Sequence, residues 1–128
     1  MKEFMLIIRN ENDNFSKLTP VQQEQFLEKC RVYINSLKQE NKLIEAQPLV
    51  REGKIISRPD GEWKETPFNE SKEVQVGYYH LLATDLDDAI KIAKANPEFE
   101  YGKSARIEVR PVKMKEETTG FVYPEKQK

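Results

Sequence analysis

The sequence predicts an α+β fold whose elements run in the order β-α-β-β-α-β, and three observations carry that prediction. Two apolar runs, Phe4 to Ile8 and Val74 to Ala83, carry large residues on both faces and suit central strands. Two amphipathic stretches each open on a recognisable N-cap. Two further strand-like segments bear the marks of sheet edges: Pro48 interrupts one, and charged residues alternate along the other.

The first run, Phe4 to Ile8, is rich in β-forming residues and gives way at Asn10 to Ser16 to a polar, turn-prone loop. The first helix starts at Thr19, an N-cap followed by Pro20 in the first helical position and Gln22 placed to close a capping box. Phe26, Leu27, Cys30, Tyr33, Ile34 and Leu37 then form one apolar stripe, and the helix is expected to end near Glu40 to Lys42. Leu43 to Val50 reads as the second strand, with a short hairpin arm over Lys54 to Ser57 and a turn at Arg58-Pro59-Asp60-Gly61.

After the third strand, Val74 to Ala83, Asp85 caps a second helix. Its buried side is expected to hold Leu86, Ala89, Ile90 and Ala93, and Asn96-Pro97 ends it. In the last strand, Ala105 to Val112, Ala105, Ile107 and Val109 face one way while Arg106, Glu108 and Arg110 face the other.

That order is the ferredoxin-like split βαβ arrangement, which places the first and third strands centrally. Two helices cover only one face of such a sheet. The other face would expose Met5 and Ile7, which favours a homodimer packed sheet to sheet as a dimeric α+β barrel. Residues 1–112 are expected to form the domain and 113–128 a charged tail with a small apolar patch at Phe121 to Tyr123. That patch reads as an added edge strand, a clamp on a partner or plain disorder, with disorder of the final few residues the favoured reading.

Composition narrows the function classes. The net charge of −1 gives no basic face for nucleic acid, and the short basic stretch Lys113 to Lys115 is diluted by Glu116 and Glu117. A single cysteine, Cys30, rules out an intrachain disulfide and suits a reducing, cytoplasmic setting. Its apolar surroundings point to a buried, inert thiol. With one histidine beside it, a Cys/His metal site is not expected, and no phosphate loop or Ser-His-Asp order appears. The apolar N-terminal run is too short for a signal-peptide core or a membrane span.

The stretch Glu65-Thr66-Pro67-Phe68-Asn69-Glu70-Ser71-Lys72-Glu73 resembles the signature of the YCII-related family's DGPF branch, with Glu65 and Thr66 replacing the usual Asp and Gly. Gly77-Tyr78-Tyr79, Asp85 to Ala93 and Ile107-Glu108-Val109-Arg110-Pro111 agree with it in order and spacing. The resemblance implies a dimeric α+β barrel of bacterial, cytoplasmic origin and a function largely unassigned. It also implies, in other members, a His–Asp pair early in the first helix and in an Asp-Pro step after the second. Here the helix opens Val21-Gln22-Gln23-Glu24-Gln25 and the step is Asn96-Pro97, so acid–base chemistry at that pair does not carry over.

Candidate ligand-binding residues remain, each with a plainer reading beside it. His80 shares a strand face with Tyr78 and Leu82, and is either an acid–base or ligand-orienting group or a hydrogen-bonded core or interface histidine. Arg110, with Arg106 and Glu108, either binds a carboxylate or forms an ion pair. Glu73, with Glu65, Glu70 and Lys72, lies on the loop entering the third strand. Phe68 either walls a cavity there or plugs the core, and Trp63 either stacks a ligand or is buried or in a dimer contact. The expected function is a non-catalytic or regulatory dimeric module binding a small molecule. The alternative is a cofactor-free enzyme of isomerase or lyase type, acting on a small carboxylate or lactone in the barrel cavity.

Overall fold

The structure, a computed structural model, describes residues 1–11, 15–68 and 74–123. Nine elements follow in order: β1 (Lys2–Asn10), α1 (Pro20–Gln39), β2 (Leu43–Pro48), β3 (Ile55–Ser57), β4 (Lys64–Thr66), β5 (Val74–Ala83), α2 (Leu86–Lys94), α3 (Glu98–Tyr101) and β6 (Arg106–Pro111). The main sheet runs β2-β5-β1-β6, antiparallel throughout, with the two apolar strands in its centre. Each of the two βαβ units therefore has a strand of the other inserted between its own, the ferredoxin-like arrangement that the sequence predicts.

Local chemistry sets the element ends where the sequence places them. The Thr19 hydroxyl accepts from the Gln22 amide at 3.2 Å, and the Gln22 side chain accepts from the Thr19 amide at 3.0 Å. That reciprocal box satisfies two donors that the first turn leaves orphaned. In α2 the Asp85 carboxylate accepts from the Asp88 amide at 2.8 Å, and Asp88 reaches back to the Thr84 amide at 3.0 Å. This backbone bond to Thr84, with the Lys42 ammonium nearby, holds the Asp88 carboxyl below its ordinary range.

The core lies between the sheet and the helices. Phe4, Leu6 and Ile8 of β1 and Tyr79, Leu81 and Ala83 of β5 point into it, with Leu6 and Leu81 fully buried. From the helices come Leu37, Ala89, Ile92 and Ala93. Burying side chains of Leu size contributes about 1.5–3 kcal/mol each. The Tyr33 hydroxyl donates to the Ile92 carbonyl at 2.7 Å, fastening α1 to α2.

Some expectations need correction. Leu27, placed in the α1 stripe, is 55% exposed, and Leu86 of α2 is exposed while Ile92 takes its place in the core. Leu27 faces a cleft between α1 and the end of β2, where no side chain among the described residues packs it closely. Leu86 sits in the first turn, outside the packed part of its helix. The arm after β2 is a separate hairpin, β3 against β4, and does not extend the main sheet. Beyond β6, Val112 still bonds the Glu3 carbonyl, and a turn closed by a Lys115–Val122 bridge leaves Phe121 and Val122 exposed.

Candidate functional site

Register across the sheet fixes what its open face holds. Glu45, His80, Met5 and Arg110 form one row across the four strands, and Gln47, Tyr78, Ile7 and Glu108 form the next. His80, Tyr78 and Arg110 therefore do share a face. Arg110 and His80 flank Met5 in this row two strands apart, a backbone spacing of roughly 10 Å.

His80 is buried, and its Nε2 lies 2.6 Å from Glu3 Oε1. The carboxylate comes from β1, one strand away, and is the partner that sequence spacing alone does not reveal. Tyr78 stands beside Glu45; reduced hydration and that carboxylate together raise its phenol above the usual range. Arg9 donates to Glu108 at 2.9 Å, and Arg110 lies 3.5 Å from the same carboxylate. The charged groups of this face are thus engaged with one another. Its Met5 and Ile7 side chains are half-buried within the single chain.

The remaining sequence candidates stand elsewhere. Trp63 lies just before β4, 69% exposed, with the Arg58 guanidinium 5.0 Å from its ring centroid. The buried reading of Trp63 is therefore overturned for the single chain, because the hairpin carries it away from the main core. Phe68 packs at the hairpin's base against Gly53, whose φ of 143° favours glycine. Phe68 belongs to neither the core cluster nor the open face. Glu73, like Glu70 and Lys72, lies outside the described residues.

The cavities open on the opposite side of the sheet, between α1, the end of β2 and α3. One chamber of about 460 Å³ is lined by Phe15, Phe26, Leu49, Arg51, Glu98 and Tyr101 among others. A second, of about 420 Å³, is lined by Cys30, Ile34, Gly77 and Tyr79, and at the sheet edge also by Gln47 and the sequence candidate Tyr78. Phe26, Leu27, Pro48, Val76 and Glu98 line both, so the chambers adjoin as one cleft. Gly77 lets β2 approach β5 closely at the cleft's edge: a Cβ there would stand 3.1 Å from the Gln47 carbonyl oxygen.

Glu98 is the acid of this cleft among the described residues. The Asn96 carboxamide oxygen accepts from the Glu98 amide at 2.9 Å, so the Asn96-Pro97 step starts α3 and aims this residue. Burial raises the Glu98 carboxyl, and no hydrogen-bond donor among the described residues reaches it. Behind it, Tyr33 and Tyr79 meet edge to face at 5.6 Å, and burial raises both phenols. The Asn96 Nδ2 lies beside those hydroxyls without a well-formed bond to either. Cys30 is raised to about 11 by burial, with Glu98 adding to it, which makes its thiol a poor nucleophile as the sequence suggests.

Glu3 and Glu98 are the residues that sequence reasoning missed. Glu3 has the parity of Met5 and Ile7, which signals its face but not its partner. Glu98 follows Asn96-Pro97 closely, a position that reads only as a helix end. Among the described residues there is no group of three or more His, Cys, Asp or Glu placed to hold a metal ion, and no helix is long and apolar enough to cross a membrane.

The YCII-related domain matches this chain over residues 2–113, and the chain belongs to that family, one without an assigned activity. No curated protein matches it.

Proposed function

We propose that this member of the YCII-related family is a small-molecule-binding module, with its ligand seated in the cleft between α1 and the sheet. The cleft itself carries the reading. Each chamber lies within the range of about 300–1,000 Å³ typical of small-molecule sites, with mostly apolar walls and few polar groups. The sequence candidates on the open face support it indirectly, because His80 and Arg110 already have partners within the chain.

The open face is read as a contact with a second copy. Met5 and Ile7 keep a continuous apolar strip between the ion pairs, and sheet-to-sheet packing removes it from water. A cytoplasmic homodimer, needing no cofactor and no nucleic acid, is the assembly proposed.

The test is a titration of the isotope-labelled chain with a library of small apolar compounds, following amide shifts. Shifts grouped at Phe26, Val76 and Glu98 support the cleft; shifts confined to His80 and Arg110 place the ligand on the open face instead.

A second reading has one observation in its favour, the buried His80–Glu3 contact. An imidazole held by a carboxylate is the arrangement of an orienting acid–base pair. Under it the chain is a cofactor-free isomerase or lyase acting on a small carboxylate or lactone within the dimer. Turnover of such compounds, abolished in His80→Ala and unaffected by Glu98→Gln, would select it.

A further inference from the structure

The larger chamber combines two features beyond apolar walls. Phe15, Phe26 and Tyr101 form a run of aromatic contacts, with ring centroids 5.9 Å apart in the first pair and 5.3 Å in the second. All three rings line the chamber, and so does the half-buried Glu98 carboxyl, which meets no donor among the described residues.

Aromatic faces and a carboxylate are the two groups that attract an organic cation: the ring quadrupole favours positive charge, and the carboxylate accepts its N–H bonds. The chain already uses this chemistry at the same ring, where the Lys29 ammonium lies 5.6 Å from the Tyr101 centroid and pairs with Glu100. Glu98 is the carboxylate that lines the chamber with the three rings. Arg51 also lines the chamber, but its interactions are made with other groups of the chain. In the second chamber Arg31 is committed to Glu28, and Lys38 also lines that chamber but not the one lined by the three aromatic rings.

Building on the cleft reading above, we infer that the ligand is a small organic ammonium with an apolar or aromatic body, its nitrogen bonded to Glu98 and its body against Phe15, Phe26 and Tyr101. A bound ammonium supplies the donor that Glu98 lacks and offsets the burial of its charge. Leu27, Leu49 and Val76 exclude water around the body.

The probes are 2-phenylethylamine, 2-phenylethanol and 3-phenylpropionate, equal in body and different in head group, titrated calorimetrically into the full chain at pH 8. The amine is expected to bind about tenfold more tightly than the alcohol or the carboxylate. In Glu98→Gln the amine should fall to the level of the alcohol. In Glu100→Gln, which alters only the carboxylate paired with Lys29, the amine should keep its advantage. Retention of that advantage by Glu98→Gln, or its loss in Glu100→Gln, overturns the assignment to Glu98. If the alcohol or carboxylate binds as well as the amine, the ammonium inference fails while the cleft reading stands. If none of the three binds at about millimolar concentration, both fail together. Circular dichroism of Glu98→Gln separates lost binding from lost folding.

Discussion

His80 and Glu3 meet at 2.6 Å across two neighbouring strands, so the chain's single imidazole is held by a carboxylate 77 residues away in sequence. Removing Glu3 leaves a buried ring nitrogen without its partner. Glu3→Ala should cost about 1–3 kcal/mol in urea denaturation. A double-mutant cycle with His80→Ala should return a coupling of at least about 0.5 kcal/mol. A coupling near zero would mean that the contact adds nothing beyond its two separate side chains.

The open face predicts an oligomeric state. Light scattering should give about 30 kDa, twice the 15.0 kDa of one chain. Ile7→Lys places a charge in the middle of the apolar strip and should return the mass to that of the monomer with circular dichroism unchanged. A wild-type mass of one chain at micromolar concentration removes the dimer.

Leu81 and Leu27 separate core from cleft. Leu81 is fully buried, and Leu81→Ala should destabilise by about 2–5 kcal/mol. Leu27→Ala removes a side chain already 55% exposed and should stay within about 0.5 kcal/mol. Because Leu27 lines both chambers, its truncation should weaken ligand binding with little effect on melting temperature. An equal loss of stability in the two variants would count Leu27 among the core residues after all.

Alkaline pH should destabilise the chain early. Cys30, Tyr33 and Tyr79 have folded-state values raised by burial above 9.0 for the thiol and 10.0 for the phenols. Between the unfolded and folded values the native state binds more protons than the unfolded chain, so stability falls as pH rises. The decline should begin near pH 9 and continue beyond pH 11. Cys30→Ala should remove its first part, measured as denaturant midpoint against pH. A flat profile to pH 11 would contradict the burial of all three groups.

Glu98 works in the same sense at acid pH. Its folded value is raised, so the stabilising protonated form is present below about pH 4.5 and is lost as pH rises through the shifted value. Glu98→Gln does not titrate. It should melt higher than the wild type at pH 7 and show no such advantage at pH 4. A lower melting temperature at both values would mean that the carboxylate has a stabilising donor.

Local chemistry is what the sequence determined. Thr19, Pro20 and Gln22 define the start of α1 because capping depends on residues within one turn of each other. Strand parity determined that Tyr78, His80 and Leu82 share a face, since side chains alternate along any strand. The apolar runs at Phe4 and Val74 marked the sheet centre because central strands lose water on both sides. Tertiary structure decided everything that depends on register and on how far one element extends over another. Only the antiparallel pairing of β1 with β5 brings Glu3 to His80, and a slip of one residue would send Glu3 to the other face. Only the packing of α1 and α3 against the sheet leaves Glu98 half-buried beside Phe26, and leaves Leu27 outside the core it was patterned for. Those relationships join residues far apart in the chain, and no spacing within a single segment encodes them.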